Sequence, residues 1–369
     1  MGVGVFSCRP QHAFRRHADT ARVSAWPRAG TRLAVHGGLP RAPRRPTRPA
    51  ALACAAAVLA AGGCGGAHSG TSAGASSTTA ARRSGPLTLR VTSTHTLPAP
   101  VQLPAVTATG AGVLSVAGLD AAEASTAQIV LIDGAGASVS GQLPVALHDG
   151  AAATIEGQAY YFGGGGENGA SSAIYRLEGA GASSVGQLPV GASDVGAATI
   201  GNTAYVVGGY TEVVPLRTIV AFTPAGGARV VGMLPVPLRY AAVAAVGGHL
   251  LIAGGTSGEA AQQAILSFDP TSGAVRQIGT LPQPLTHAAG ASLDGRFLVF
   301  GGRGSERTSQ SAAILSIDPA SGATSSAGSL PEPLSDLGAA SLPGEVVLVG
   351  GRDRSGAVRD QALTYSPAS

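Results

Sequence analysis

One segment, LPVPLRYAAVAAVGGHLLIAGG at residues 234–255, recurs in recognisable form five more times along this chain. Copies start at Leu143, Leu188, Leu281 and Leu330, and a weaker one starts at Leu97. Each carries a Leu-Pro element, a run of small residues, a two-residue turn, an apolar run and a Gly-Gly stop. The stops begin at Gly163, Gly208, Gly254, Gly301 and Gly350, with Ala117 and Gly118 as a degenerate first member, at intervals of 46, 45, 46, 47 and 49 residues. Periods of this size mean stacked supersecondary units, each burying its faces against its neighbours.

The content of one unit predicts four antiparallel strands and no helix. Residues 240–246, rich in alanine, read as strand A. Gly247 and Gly248 supply the turn, matched by Glu156 and Gly157, Gly201 and Asn202, Asp294 and Gly295, and Pro343 and Gly344. Most of these provide the positive-φ residues that two-residue hairpins need. Residues 249–253 are continuously apolar, as in a strand buried on both faces. Residues 264–268 (AILSF) and 274–279 complete the unit as strands C and D, and the next Leu-Pro element reads as the corner into the following unit. Four-stranded units stacked face to face around an axis make a β-propeller. Small residues in strand A fit the innermost position, where the wedge is narrowest.

The count points to six blades. The last unit ends after residues 362–365 and lacks a fourth strand, while residues 87–98 (LTLRVTSTHTLP) form a strand-D pattern preceding the first unit. The expected fold is therefore all-β, a six-bladed propeller over residues 86–369 whose last blade is closed by the N-terminal strand.

Charge separates this body from what precedes it. Residues 1–63 hold ten arginines and one acid, whereas the remainder holds fourteen arginines and nineteen acids. The basic balance of the whole chain thus belongs to a leader, and the acidic body offers no broad surface for nucleic acid. The cysteines are Cys8, Cys54 and Cys64. A body without cysteine has no disulfide, thiolate metal site or cysteine nucleophile. Arg41, Arg44, Arg45 and Arg48 precede an apolar run at residues 50–61. That run is too short to span a membrane but suits a signal-peptide core. Residues 64–85, rich in Gly, Ser and Thr, read as a flexible tether.

Two resemblances follow from these residues. Ala61, Gly62, Gly63 and Cys64 resemble a bacterial lipobox, in which the cysteine is diacylated and becomes the mature N-terminus; Ala61 stands where that motif usually has leucine. The resemblance implies lipidation at Cys64 and an extracytoplasmic protein anchored to the cell membrane, with plain secretion as the alternative. The absence of lysine and the excess of Ala and Gly suit a GC-rich bacterial genome. The body, in turn, resembles the kelch repeat, the central-domain fold of galactose-oxidase-like proteins. Its apolar strand ends in Gly-Gly and its next strand ends in a Phe-Asp-Pro type of turn. It departs from that pattern in strand D, where the family's tryptophan is missing; Trp26, the one tryptophan, is in the leader.

In such blades the D-to-A and B-to-C connections share one end. The D-to-A connections carry Gln102, His148 and Asp149, Ser193 and Asp194, Arg239 and Tyr240, Thr286 and His287, and Ser335 and Asp336 at matching positions. They are expected to ring the channel mouth. The B-to-C loops add Glu167, Asn168, Tyr210, Glu212, Arg303, Arg352, Asp353 and Arg354. The binding set expected from this reading is Gln102, His148, Asp149, Asp194, Arg239, Tyr240, His287, Asp336, Arg303 and Arg352. Polar loop tips occur in any soluble propeller, so position alone does not make a site. His148, Asp149, His287, Asp194 and Asp336 could gather around a metal only if they converged; a hydrogen-bonded histidine at a strand start is the simpler expectation, and no metal or cofactor is assigned. Arg239 and Tyr240 could clamp a carboxylate or form a structural ion pair. Asp194 and Asp336 as a glycosidase pair is a weak signal.

The kelch resemblance implies binding of peptides or sugars on this face. The leading expectation is a membrane-tethered recognition module, monomeric, binding a glycan or a protein at the cell surface and no nucleic acid. The alternative is an extracytoplasmic enzyme of the sugar mutarotase or epimerase type, using groups such as His148, Arg239 and His287. A copper oxidase resembling galactose oxidase is a poor reading, because its tyrosine–cysteine crosslink needs a body cysteine and there is none. A scaffold binding along the blade rims is a third possibility.

Overall fold

Six antiparallel sheets of four main strands each account for residues 87–368, the part of the chain that the computed structural model describes. The leader, the tether and Cys64 lie outside the described residues. The inner strands of blades 1 to 6 are Ala105–Thr109, Ala151–Ile155, Gly196–Ile200, Ala242–Val246, Ala289–Leu293 and Gly338–Leu342. Each packs against the inner strands of two neighbours, and the sixth returns to the first. The molecule is a six-bladed β-propeller. No helix occurs among the described residues.

Closure uses the N-terminal strand. Leu89–Thr96 pairs antiparallel with Gln361–Pro367, from Leu89 opposite Pro367 to Thr96 opposite Gln361, and so becomes the outer strand of blade 6. Thr92 is the extra residue of a bulge; its hydroxyl donates to the Thr364 carbonyl at 3.3 Å. Leu89 and Leu97 turn inward into two different interblade cores.

Those cores explain the apolar pattern. Buried side chains form six clusters, one at each junction between neighbouring blades, including the seam between blades 6 and 1. At two junctions a strand-C aromatic side chain packs on strand B of the preceding blade. Phe222 of blade 3 packs edge-on against Tyr160 and Phe162 of blade 2, with centroids 5.3 and 5.5 Å apart. Phe268 of blade 4 likewise meets Tyr205 of blade 3 at 5.7 Å. A side chain on Gly232, in strand D of blade 3, would intrude on that ring, because its Cβ would lie 2.7 Å from Phe268 Cε2.

Small residues are needed at the axis. Val106 and Val243 project from opposite blades, 1 and 4. Their neighbours answer with glycine: a Cβ on Gly338 would lie 2.2 Å from Val106 Cγ2, and one on Gly196 would lie 2.6 Å from Val243 Cγ2. The inner strands enclose a central channel of about 250 Å3.

Two details differ from the expectation. Strand A of blade 4 begins at Ala242 and not at residue 240, because Tyr240 has φ 52° and belongs to the corner. The Leu-Pro element is not a corner in blades 1, 4 and 5. There the outer strands Gly136–Leu147, Ala274–Leu285 and Thr324–Leu334 run through it and end in pairs such as Gln262 with Leu285. Proline fits because an edge strand has one side on which no donor is required. The chain turns only afterwards.

Candidate functional site

The corner after each outer strand has one geometry in all six blades. Gln102, His148, Ser193, Arg239, Thr286 and Ser335 each bridge to the residue that follows a Gly-Gly stop or its blade 1 counterpart: Leu119, Gly165, Tyr210, Thr256, Arg303 and Arg352. These bridges fix the D-to-A corners and B-to-C loops at one end of the ring. The next residue in each corner, Leu103, Asp149, Asp194, Tyr240, His287 and Asp336, adopts positive φ between 52 and 61°. Positive φ is costly for residues other than glycine and marks a place where surrounding structure over-determines the backbone.

Backbone hydrogen bonds join five of these residues, all but Asp149, in series around the axis. Tyr240 N–H donates to Asp194 C=O at 3.1 Å, His287 N–H to Tyr240 C=O at 3.1 Å, Asp336 N–H to His287 C=O at 3.0 Å, and Leu103 N–H to Asp336 C=O at 2.6 Å. The last bond crosses the seam of the ring. All six residues line a narrow throat of about 100 Å3 above the channel.

Above the throat lies a funnel of about 500 Å3. Gln102, Asp149, Arg239, Tyr240, His287, Arg303, Asp336 and Arg352 line it together. Asp194 lines the throat only. His148 lines neither; its Nδ1 lies 2.8 Å from Ser125 Oγ, and it serves the corner of its own blade. The cavity is also not an even ring. It leans on blades 4, 5, 6 and 1, with Asp149 the one contribution from the corner into blade 2. Among the other loop residues singled out in the sequence, Tyr210 lies beneath the Arg239 guanidinium at 4.0 Å, Asp353 pairs with Arg359 at 2.6 Å, and Arg354 holds the Gln310 carbonyl. Glu123, Glu259, Arg307 and Gln310 line the funnel without having been anticipated. The charged B-to-C loop of blade 5, residues 302–310 (GRGSERTSQ), was the available signal for Arg307 and Gln310.

Arg239 is engaged in a structural pair. Its Nε donates to Asp194 Oδ2 at 2.5 Å, with the Asp194 side chain almost fully buried. Tyr240 and His287 stack, with centroids 3.7 Å apart and planes 22° from parallel. His287 Nδ1 lies 3.0 Å from Thr286 Oγ1 and its Nε2 lies 3.2 Å from Arg303 Nη2. A guanidinium can only donate, so Nε2 is the acceptor and Nδ1 carries the proton. Burial, together with Arg303, Arg239 and Arg307, holds this imidazole well below the usual histidine range. Asp336 accepts from Ser335 Oγ at 2.5 Å, and its Oδ1 sits 3.8 Å from His287 Nε2. Burial pushes Asp336 up, against the Ser335 bond and the arginines. Asp149 is pushed well above the carboxylate range by burial and then by Asp194 and Asp336. Although carboxylates and His287 share the throat, among the described residues no group of three or more His, Cys, Asp or Glu is disposed to hold a metal ion.

These observations set a pH dependence. Asp149 faces His148, Asp194, Asp336, Arg239, Tyr240 and Tyr161. Its folded value exceeds its unfolded one, so its contribution is present below the ordinary aspartate range and is lost as pH rises through the folded value. Asp149→Asn is therefore expected to gain stability over the parent at pH 8 and none at pH 4. Urea unfolding at the two pH values checks this; a loss at pH 8 would mean that the ionised carboxylate is the stabilising form.

No protein-family model matches this chain, and no curated protein matches it either.

Proposed function

We propose that this chain is a tethered extracytoplasmic recognition module that binds a polar ligand, a glycan or a protein segment, in the funnel at the D-to-A and B-to-C end of the propeller. The supporting observation is convergence: polar side chains from four blades meet at one cavity of about 500 Å3, on corners whose backbones are held by hydrogen bonds around the ring. That volume is in the range of small-ligand sites, and it favours a glycan unit over a broad protein surface. The kelch-like repeat, the lipobox-like Cys64 and the tether supply the rest of the reading, with the cell surface as its place and a monomer as its form.

A thermal-shift screen of the full chain against neutral and acidic sugars, cell-wall fragments and peptides tests it. A ligand present at 100 times its dissociation constant adds about 2.7 kcal/mol, which at this size raises the melting temperature by about 4–5 °C. The shift is expected to be lost in Arg239→Ala and His287→Ala. A ligand that stabilises parent and variants equally would place recognition elsewhere.

One observation favours an enzyme as the second reading. Environments at the throat push two carboxyls and an imidazole in opposite directions, Asp149 and Asp336 up and His287 down. Such divergence is how one site holds both a proton donor and a proton acceptor at neutral pH. A mutarotase or epimerase would draw on these groups. His148 lies away from the funnel and Arg239 is committed to Asp194. Turnover of a bound sugar, followed by NMR, separates the two readings.

A further inference from the structure

Four arginines and four acids, Glu123, Asp149, Glu259 and Asp336, line the funnel, and some of them are already matched. Arg239 is paired with Asp194, and Arg352 Nη1 donates to Glu123 Oε1 at 2.9 Å across the seam between blades 6 and 1. Arg303 and Arg307, both on the B-to-C loop of blade 5, have no carboxylate within ion-pair distance among the described residues. The Arg303 guanidinium is half-buried, and its donors are met only by the Gly304 and Ser305 carbonyls and by the His287 imidazole. Burial works against its charge; Asp336 relieves this in part, and Arg307 and Arg352 add repulsion. A partly desolvated guanidinium beside a second, exposed one, neither with a carboxylate partner, makes a wall complementary to an anion.

A second polar group stands unmatched beside them. Gln310 is 2% exposed and lines the same cavity. Its Nε2 donates to the Arg307 carbonyl at 2.8 Å, which fixes the amide orientation, and its Oε1 has no partner. Nε2 also reaches the Ser335 oxygen at 3.5 Å, and the Ser335 hydroxyl donates its proton to Asp336. A buried acceptor without a donor is costly, and a ligand O–H or N–H reaching it after a small side-chain adjustment would satisfy it.

We propose that the blade 5 wall, Arg303 and Arg307 with Gln310, is a carboxylate-binding subsite of the funnel, and that the ligand is an acidic sugar whose hydroxyls accompany the carboxylate. The assignment rests on the funnel reading given above and adds the chemical class. Guanidinium forks match a carboxylate with paired parallel hydrogen bonds. A cavity of this size takes one or two sugar rings.

Calorimetric titration of the full chain with glucuronate and galacturonate, and in parallel with glucose and galactose, tests it. The acids are expected to bind at least about tenfold more tightly than their neutral counterparts, because only they engage the arginines. Arg303→Gln is expected to weaken acid binding by about tenfold to a hundredfold. Arg303 also bonds His287, so Arg307→Gln provides a variant at an exposed side chain without an ion pair; a loss of acid binding there, with unfolding unchanged, carries the same conclusion. Neutral sugars binding as well as the acids would overturn the subsite while leaving the funnel reading intact. A peptide bound in place of any sugar, and released by Arg239→Ala, would do the same. Binding of none of these probes would reject both.

Discussion

Removing residues 87–96 is expected to turn this protein from a cooperatively folding ring into an insoluble or rapidly proteolysed chain. The segment supplies the whole outer strand of blade 6. Its side chains are mostly exposed, so its contribution is backbone pairing together with Leu89. Closing a loop of this length costs roughly 5 kcal/mol in chain entropy. Seven residue pairs, at about 1 kcal/mol per hydrogen bond, and burial of the Leu89 side chain at about 2 kcal/mol exceed that cost. Without the strand, Gln361–Pro367 becomes a free edge that invites pairing with other chains. The damage reaches the site, because the funnel spans the same seam: Leu103 N–H bonds the Asp336 carbonyl and Arg352 pairs with Glu123 across it. Expression of the deletion and limited proteolysis are the measurements; a soluble deletion with a single sharp unfolding transition would refute the role given to the strand.

The second large effect is expected at the second glycine of a Gly-Gly stop. All six blades have glycine there, with φ between 84 and 113°, whereas Ala117 takes the first position in blade 1 with φ 58°. Gly255 shows why. A Cβ would lie 2.7 Å from the Arg239 carbonyl oxygen and 3.1 Å from Ala241 Cβ. Gly255→Ala combines a sparsely populated backbone conformation with a collision against a corner that cannot move freely, about 3–5 kcal/mol in total. Gly248→Ala is the control: φ is 81°, but nothing lies within 4 Å of the added carbon, and only the conformational part, about 1–2 kcal/mol, is expected. Urea unfolding of the two variants checks the difference. Equal losses would mean that close approach of the corner backbone contributes nothing. Because the Arg239 carbonyl belongs to the corner, Gly255→Ala is also expected to weaken any ligand of the funnel.

The repeat made the fold legible because each of its features has a direct physical cause. Alanines mark strands at the narrow axis, apolar runs mark strands covered on both faces, and the missing last strand of blade 6 called for the segment before blade 1. The Leu-Pro element misled, since proline reads as a break in a sequence, yet on an outer edge its missing donor costs nothing. The corners were legible as a register: Asp149, Tyr240, His287 and Asp336 occupy equivalent positions, and the ring brings them to one throat. What a register cannot convey is where each side chain goes after the backbone has been placed. His148 turns to Ser125, Arg239 is drawn to Asp194, and residues 302–310 follow a path set by loop contacts such as Arg354 with the Gln310 carbonyl. Arg307 and Gln310 therefore entered the site only with the structure, and so did its lean toward blades 4, 5, 6 and 1.

Hydrogen exchange of the full chain, read by mass spectrometry, tests the closed ring on which the funnel depends. Peptides covering residues 89–96 are predicted to exchange as slowly as those covering residues 361–367 and to open with them as one unit. Complete exchange of residues 89–96 within seconds, while residues 361–367 stay protected, would contradict closure and with it the funnel built across the seam.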